Sequence, residues 1–466
     1  MGTLAQPSFL RTFNNFLYKP AYFFLIGALT VIANIFGAEL FTYTCFVLIF
    51  LYLCFWGRDL LPVLPMAICA YIAPSRGNNP GLSDESIFSP ENGGSYIIFL
   101  AFLLVVGVIC RLIRDKALGR AAFWKCRRQL LPGLLVLFLA YLLSGIGSSQ
   151  WEKVSTQNLL FAFIQGVSIL LPYFLLTALV KWEEAPKAYL AWTGMCVGFV
   201  LLAELANIYV QFDVIEEGII NRRLIYSGWG HYNNIGALLA MMIPFPFFLT
   251  GKGKHTSIFY IVGLLFLAGI IFTCSRGSIL FGVLTYGASY IASLIHSRNA
   301  RSNWVIHVCT LALAIAVYIF FYDRMLNLFQ MMIEQQWDSA GRITGYIEGW
   351  KQFTQFPIFG GTFYPIDYDL YTWSTSAEFV AFFPPRWHNT FVQILASCGV
   401  VGFVAYLFHR LQTATLFLRH FSTKKLFPLI SMLTLLGTSL LDCHFFNVGP
   451  VLFYSMMLAF VEKQSE

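Results

Sequence analysis

The sequence is short of charge. Only 11% of its 466 residues are Asp, Glu, Lys or Arg, against 58% apolar and 17% aromatic. A water-soluble fold of this length has no use for such a balance, which excludes a soluble globular chain. Ordered metal or disulfide patterns are missing as well. The ten cysteines are scattered, as at Cys45, Cys54, Cys69, Cys110 and Cys196, without zinc-type spacing, and read as small apolar packing residues. There is no P-loop, no dinucleotide fingerprint and no Gly-x-Ser-x-Gly elbow, so ATP-driven, nicotinamide-dependent and serine-hydrolase chemistries have no support. Internal repeats, low-complexity tracts and a separate soluble domain are also absent.

What the chain does have is apolar runs of spanning length. Candidate spans fall at 21–38, 40–56, 59–73, 95–112, 131–147, 158–180, 188–210, 233–250, 256–274, 277–296, 304–322, 389–408, 426–442 and 447–461. The expectation is an all-α polytopic membrane protein with about 12–14 transmembrane helices, forming one integral membrane domain over residues 1–466. Arg11 and Lys19 precede the first apolar stretch, which is expected to act as its own insertion signal.

The formal net charge is +7, but its placement says more than its size, and no nucleic-acid partner is expected. Lys and Arg in short loops resist translocation. The loop from Arg111 to Arg128 is rich in both, and counting spans from it places Gly251–Lys254, Arg298–Arg301 and Arg410–Lys425 on the same, inner side. The alternation leaves 148–157, 211–232, the turn Ser275-Arg276-Gly277 and one large loop, 323–388, outside. A loop of about 65 residues is too long for a mere connection. Trp337, Trp350, Phe353, Phe356, Phe359, Phe363, Tyr364 and Trp373 make it too aromatic for a solvated linker. Within it Ile343, Ile347, Trp350 and Phe353 recur at helical spacing, predicting an amphipathic surface helix over 341–355 that Pro357 stops. The stretch from Phe359 to Pro365 reads as a turn-rich rim.

Arginines on outer loops run against the positive-inside bias and need another explanation. Arg222, Arg223, Arg276, Arg342 and Arg386 are such residues; snorkelling or pairing with local acids would account for any one of them. Arg276 is the most informative, because its turn joins two apolar runs and has no acidic neighbour in sequence. Guanidinium forks suit phosphate oxygens, and several together at a membrane surface suit a lipid diphosphate. His388 adds a group able to take a proton near neutral pH, although a histidine at a helix start can equally bond water or backbone. His231 and His444 are weaker candidates of the same kind. Asp367-Tyr-Asp369 has the form of a metal-holding triplet of nucleotide-sugar transferases, but it lies on the outer side, away from such donors, and no metal site is expected.

Four segments together resemble the O-antigen ligase and O-antigen polymerase superfamily of bacterial envelope glycosyltransferases. They are Arg223-Leu-Ile-Tyr-Ser-Gly with Asn233-Asn234-Ile-Gly; Thr273-Cys-Ser-Arg276-Gly-Ser-Ile-Leu280; Ser339-Ala-Gly-Arg342 with Trp350, Pro357 and Phe359-Gly-Gly; and His388-Asn389 leading to Cys398-Gly-Val-Val-Gly402. The likeness covers about 223–402, and the doubled Arg222-Arg223 leaves open which one matches the family arginine. The resemblance implies a GT-C-like helical bundle in the bacterial inner membrane. It implies transfer of a glycan from undecaprenyl diphosphate to an acceptor hydroxyl on the outer face, with inversion and without metal or other cofactor. In that reading Arg222 or Arg223, Arg276 and Arg342 bind the diphosphate and His388 takes the acceptor proton. A lipid A core acceptor would make the protein a ligase, and a growing carrier-linked glycan a polymerase. A lipid-linked glycan transporter or flippase is the alternative from another class, disfavoured because the candidate groups cluster on one face.

Overall fold

The computed structural model describes residues 8–57, 59–73, 94–117, 128–182, 188–212, 214–216, 219–227, 230–250, 257–296, 339–364 and 386–463, with scattered positions from His307 to Ile319. Most of the large loop, including Asp367 and Asp369, and most of the expected span 304–322 therefore lie outside the described residues. In chain order the helices are α1 (Ser8–Phe16), α2 (Pro20–Ile35), α3 (Glu39–Phe55), α4 (Val63–Ile72), α5 (Gly94–Ala117), α6 (Leu131–Leu142), α7 (Trp151–Leu179) and α8 (Tyr189–Gln211). They continue as α9 (Tyr232–Met242), α10 (Pro244–Leu249), α11 (Ser257–Phe272), α12 (Arg276–His296), α13 (Ser339–Gln355), α14 (Thr390–Arg419), α15 (Leu426–Thr438) and α16 (Val448–Lys463).

This is an all-α polytopic membrane protein. Among the described residues six helical segments are long and apolar enough to span a bilayer: α5, α7, α8, α9 with α10, α12 and α14. The pair α1–α2, bent by 76°, makes a seventh if taken together, and α3, α4, α6 and most of α11 are shorter apolar helices. Pro20, Pro132 and Pro244 stand in first turns, where a fixed φ fits and no amide donor is lost. In lipid, helices associate by close packing, for which small residues are needed. Cβ atoms added at Gly166, Gly194 and Gly198 would lie 2.0, 2.5 and 2.2 Å from the rings of Phe138, Phe245 and Phe266.

The two ends of the bundle are built differently. At the end read as inner, Arg111 donates to the carbonyls of Leu53 (2.9 Å) and Gly57 (3.0 Å) and pairs with Asp115 at 3.0 Å. Arg114 donates to Cys54 O and Gly57 O. These contacts satisfy carbonyls left open where α3 ends. At the opposite end lie the loop between α8 and α9, the turn into α12, the start of α14 and the segment between α15 and α16.

α14 is broken part-way along, and the break is specific to glycine. Gly399 sits at φ 64°, ψ −160°, and a Cβ there would lie 2.3 Å from Ile358 O. The segment after α13 enters the gap: Val400 and Val401 N–H groups donate to Pro357 O and Ile358 O, and Gly361 N–H donates to Ala396 O. Gln352 adds bonds from its amide to Ala396 O and Thr362 O. Irregular backbone at membrane depth is tolerated where protein satisfies it in this way. The clasp fixes α13 on α14. α13 itself matches the expected surface helix: Ile343, Ile347 and Trp350 point outward, whereas Gly345, Gly349 and Gln352 face the protein.

Candidate functional site

His388 stands immediately before α14, in the left-handed region at φ 51°. Asn389 caps the helix by accepting from the N–H groups of Phe391 and Val392. The same residue ties α14 to the end of α15, donating from its side chain to Leu440 O at 2.9 Å while Thr390 N–H donates to Ser439 O. That stitching brings Asp442 beside His388, with Nδ1 3.7 Å from Oδ1, an electrostatic contact longer than a hydrogen bond. Nδ1 is buried, but the imidazole side chain is 44% exposed, so its other edge is accessible.

Asp442 is held on several sides. Its Oδ1 accepts from Cys443 N–H at 2.7 Å and its Oδ2 from the Asn233 amide at 2.9 Å. Burial opposes its ionisation, but His388 alongside, with His444 and His231, outweighs burial and holds the carboxyl well below the usual carboxylate range. His444 and His231 are the converse. Burial pushes each imidazole down to about 4 despite the opposing pull of Asp442, and the charge of Arg386 adds to the depression, so both are neutral at pH 7. They serve as hydrogen-bonding groups: His231 Nδ1 accepts from Asn233 N–H, capping α9, and His444 Nδ1 meets Asn234 Oδ1 at 3.3 Å.

The Asn233-Asn234 pair is thus the joint of the site. Asn233 holds Asp442, and Asn234 accepts from the Asn447 amide, whose oxygen in turn receives Arg386. Behind the pair, Gly236 makes room for the turn before α12: a Cβ would lie 2.7 Å from Ser278 Cβ and 2.9 Å from Thr273 Oγ1. Ser278 reaches back to Asn233 O at 3.4 Å and accepts from Ser275 Oγ at 2.9 Å. Arg276, exposed at the first position of α12, therefore stands on the wall that holds Asp442.

Three sequence-expected arginines meet here. The charges of Arg342, at the start of α13, and of Arg222 both act on Arg276. Arg222 lies in a short 3-10 turn between two antiparallel hairpins, Ile215–Glu216 with Ile219–Ile220 and Tyr226–Ser227 with Gly230–His231. Its guanidinium carbon is 5.0 Å from the centroid of Tyr232, a contact that orients a cation without neutralising it. Arg223 shares the turn, but its side chain lies outside the described set. Arg342 also acts on His444 and Tyr346, and the Tyr346 hydroxyl donates to His388 O at 3.3 Å. Among the described residues no group of three or more His, Cys, Asp or Glu is placed to hold a metal ion. The structure thus joins Arg222, Arg276, Arg342 and His388 at one end, and adds Asp442, Asn233, Asn234 and Asn447, which sequence reasoning did not assign to the site.

Residues 261–407 match the family described as O-antigen ligase. Over that stretch the chain is similar to the O-antigen ligase family, which supports the O-antigen ligase and polymerase superfamily. A search among curated proteins finds no match. The O-antigen ligase match begins within α11 and ends within α14, so it holds Arg276, Arg342, Arg386, His388 and Gly399. Arg222, the asparagine pair and Asp442 come from flanking segments that fold onto it. The O-antigen ligase family is glycosyltransferase-like, acting in membranes on lipid-linked glycans, and the apolar helices agree with that setting.

Proposed function

We propose that the protein transfers a glycan from undecaprenyl diphosphate to an acceptor sugar hydroxyl at the outer face of the bacterial inner membrane, as an O-antigen ligase with a lipid A core acceptor. The observation that carries this reading is the juxtaposition of an accessible imidazole edge, beside an ionised buried carboxylate, with the guanidinium groups of Arg222, Arg276 and Arg342 at the same end. Guanidinium forks gathered in this way suit a ligand of opposite sign that offers several oxygens. A diphosphate bound by Arg276, Arg342 and Arg222 or Arg223 is such a ligand.

The chemistry follows from the two halves. The acceptor oxygen attacks the anomeric carbon, and the bond from that carbon to the diphosphate oxygen breaks. The departing electron pair leaves on the diphosphate, where the arginines stabilise the growing charge. His388 takes the acceptor proton on the imidazole nitrogen opposite Asp442, whose charge 3.7 Å away stabilises the imidazolium. Attack opposite the leaving group inverts the anomeric centre. The reaction draws its driving force from the diphosphate ester, and the reading uses guanidinium rather than metal charge.

The test is reconstitution in liposomes with an undecaprenyl diphosphate oligosaccharide, a lipid A core acceptor and excess chelator, followed by mass analysis. One glycan block moved onto the core is expected. A ladder of carrier-linked products would make the protein a polymerase, and glycolipid moved across the bilayer without any transfer would overturn the transferase reading.

A further inference from the structure

α14 carries a cation into the interior of the bundle. Arg410 falls in the loop read as inner by charge alone, yet the helix continues to Arg419 and turns the Arg410 head inward. Its guanidinium carbon lies 4.8, 4.5 and 4.9 Å from the ring centroids of Tyr406, Phe445 and Tyr454. Nη1 donates to the Tyr454 hydroxyl at 3.0 Å, which His409 Nε2 also meets at 2.9 Å. Nε and Nη2 are buried without a hydrogen-bond partner, and so are the hydroxyls of Tyr406 and Tyr141. Both tyrosines are fully buried, and Arg410 acts electrostatically on Tyr141. Among the described residues no carboxylate pairs with Arg410.

Three ring faces offset part of the cost of burying the guanidinium, but they leave its charge uncompensated and two of its nitrogens without an acceptor. The orphan atoms around the head are all able to donate: two guanidinium nitrogens and two phenols. The two nitrogens can only donate and the two phenols can donate as well as accept, so a buried positive charge with donors turned to one side is the complement of an anion, and close packing among rings favours a small one. We propose that this cage holds a monovalent anion of the halide class, chloride in the cell, as the counter-ion of Arg410. Water could satisfy the hydrogen bonds but not the charge. One wall of the cage, Phe445, belongs to the segment that carries Asp442, His444 and Asn447, so the anion braces the floor of the candidate site. The inference stands apart from the transfer reaction.

Thermal unfolding of the purified protein in nanodiscs, in sodium gluconate against sodium chloride or bromide at equal ionic strength, tests it. A saturable halide-dependent rise in Tm is expected. Tyr406→Phe and Tyr141→Phe keep the rings and lose one donor each, so each should raise the half-saturating halide concentration by about tenfold. Arg276→Ala, which alters the outer arginines, should leave the halide curve in place. No halide effect in the wild type, an unshifted curve in both tyrosine variants, or a curve abolished by Arg276→Ala would each overturn the proposal.

Discussion

The two ends of the bundle spend their arginines in opposite ways. At the end read as inner, Arg111 and Arg114 donate to the carbonyls that close α3 and Arg111 pairs with Asp115 one turn away. At the opposite end Arg276 feels the charges of Arg342 and Arg222, while the nearby carboxylate, Asp442, is engaged by His388 and Asn233. The same residue type is structural where backbone acceptors surround it and, in the proposed reading, receives the ligand where several arginines gather.

The comparison is broken most directly at Arg276. Arg276→Ala is expected to lower turnover in the liposome assay by about 10³-fold, with Tm unchanged, and Arg276→Lys to recover part of it through charge without the fork. The inner end should behave the other way. Arg111→Met removes the arginine bond to Leu53 O, one of the two to Gly57 O and the pairing with Asp115, and should cost about 1–3 kcal/mol of stability, with activity per folded molecule retained. If Arg111→Met abolished transfer in a fully folded sample, or Arg276→Ala unfolded the chain, the division between the ends would be wrong.

His388 and Asp442 sharpen the outer half of the comparison. His388→Ala should reduce turnover by about 10²-fold or more while leaving binding of the lipid carrier intact. Asp442→Asn keeps the hydrogen-bonding shape but removes the charge behind the imidazole. It should lower turnover by a smaller factor than His388→Ala. Unchanged turnover would leave Asp442 a packing residue.

Much of this was legible in the sequence. Hydropathy and the Lys and Arg of short loops placed Arg222, Arg276, Arg342 and His388 on one side, and the structure assembles them there. The surface helix was legible from the spacing of Ile343, Ile347 and Trp350. Asp442 was not, because it follows the segments that carried the family likeness and sits in the apolar run Leu440-Leu-Asp-Cys. The signal was nevertheless present: it is the only acidic residue between Leu426 and Val461, and an acid in such a run needs a partner. The break in α14 was hidden for a different reason. Gly399 reads as a tolerable helix glycine until Pro357 and Ile358 are seen to cross it, a contact that no local pattern encodes. Arg410 was misread because charge counting assigns a loop, whereas the aromatic side chains of α16 and of the segment before it draw the head into the core.

The neutral histidines give the smallest expected effect and distinguish the site from its surroundings by pH. In the folded chain burial holds His444 neutral down to about 4, against an ordinary value of 6.5. Between those values the unfolded chain binds a proton that the folded chain refuses. Stability therefore falls as the pH is lowered through this window and levels off for this group below it, by about 3 kcal/mol in all. His231, depressed to about 4 in the same way, adds a loss of the same sign. Asp442, whose carboxyl is held down, begins to lose its contribution only below the ordinary carboxylate value. Tm measured from pH 7 to pH 4 should decline along this course, and His444→Gln should flatten part of the decline without removing it. A pH-independent Tm over that range would mean that the segment between α15 and α16 opens readily to water, and the buried joint between Asn234, His444 and Asn447 would then not be the rigid support that the site requires.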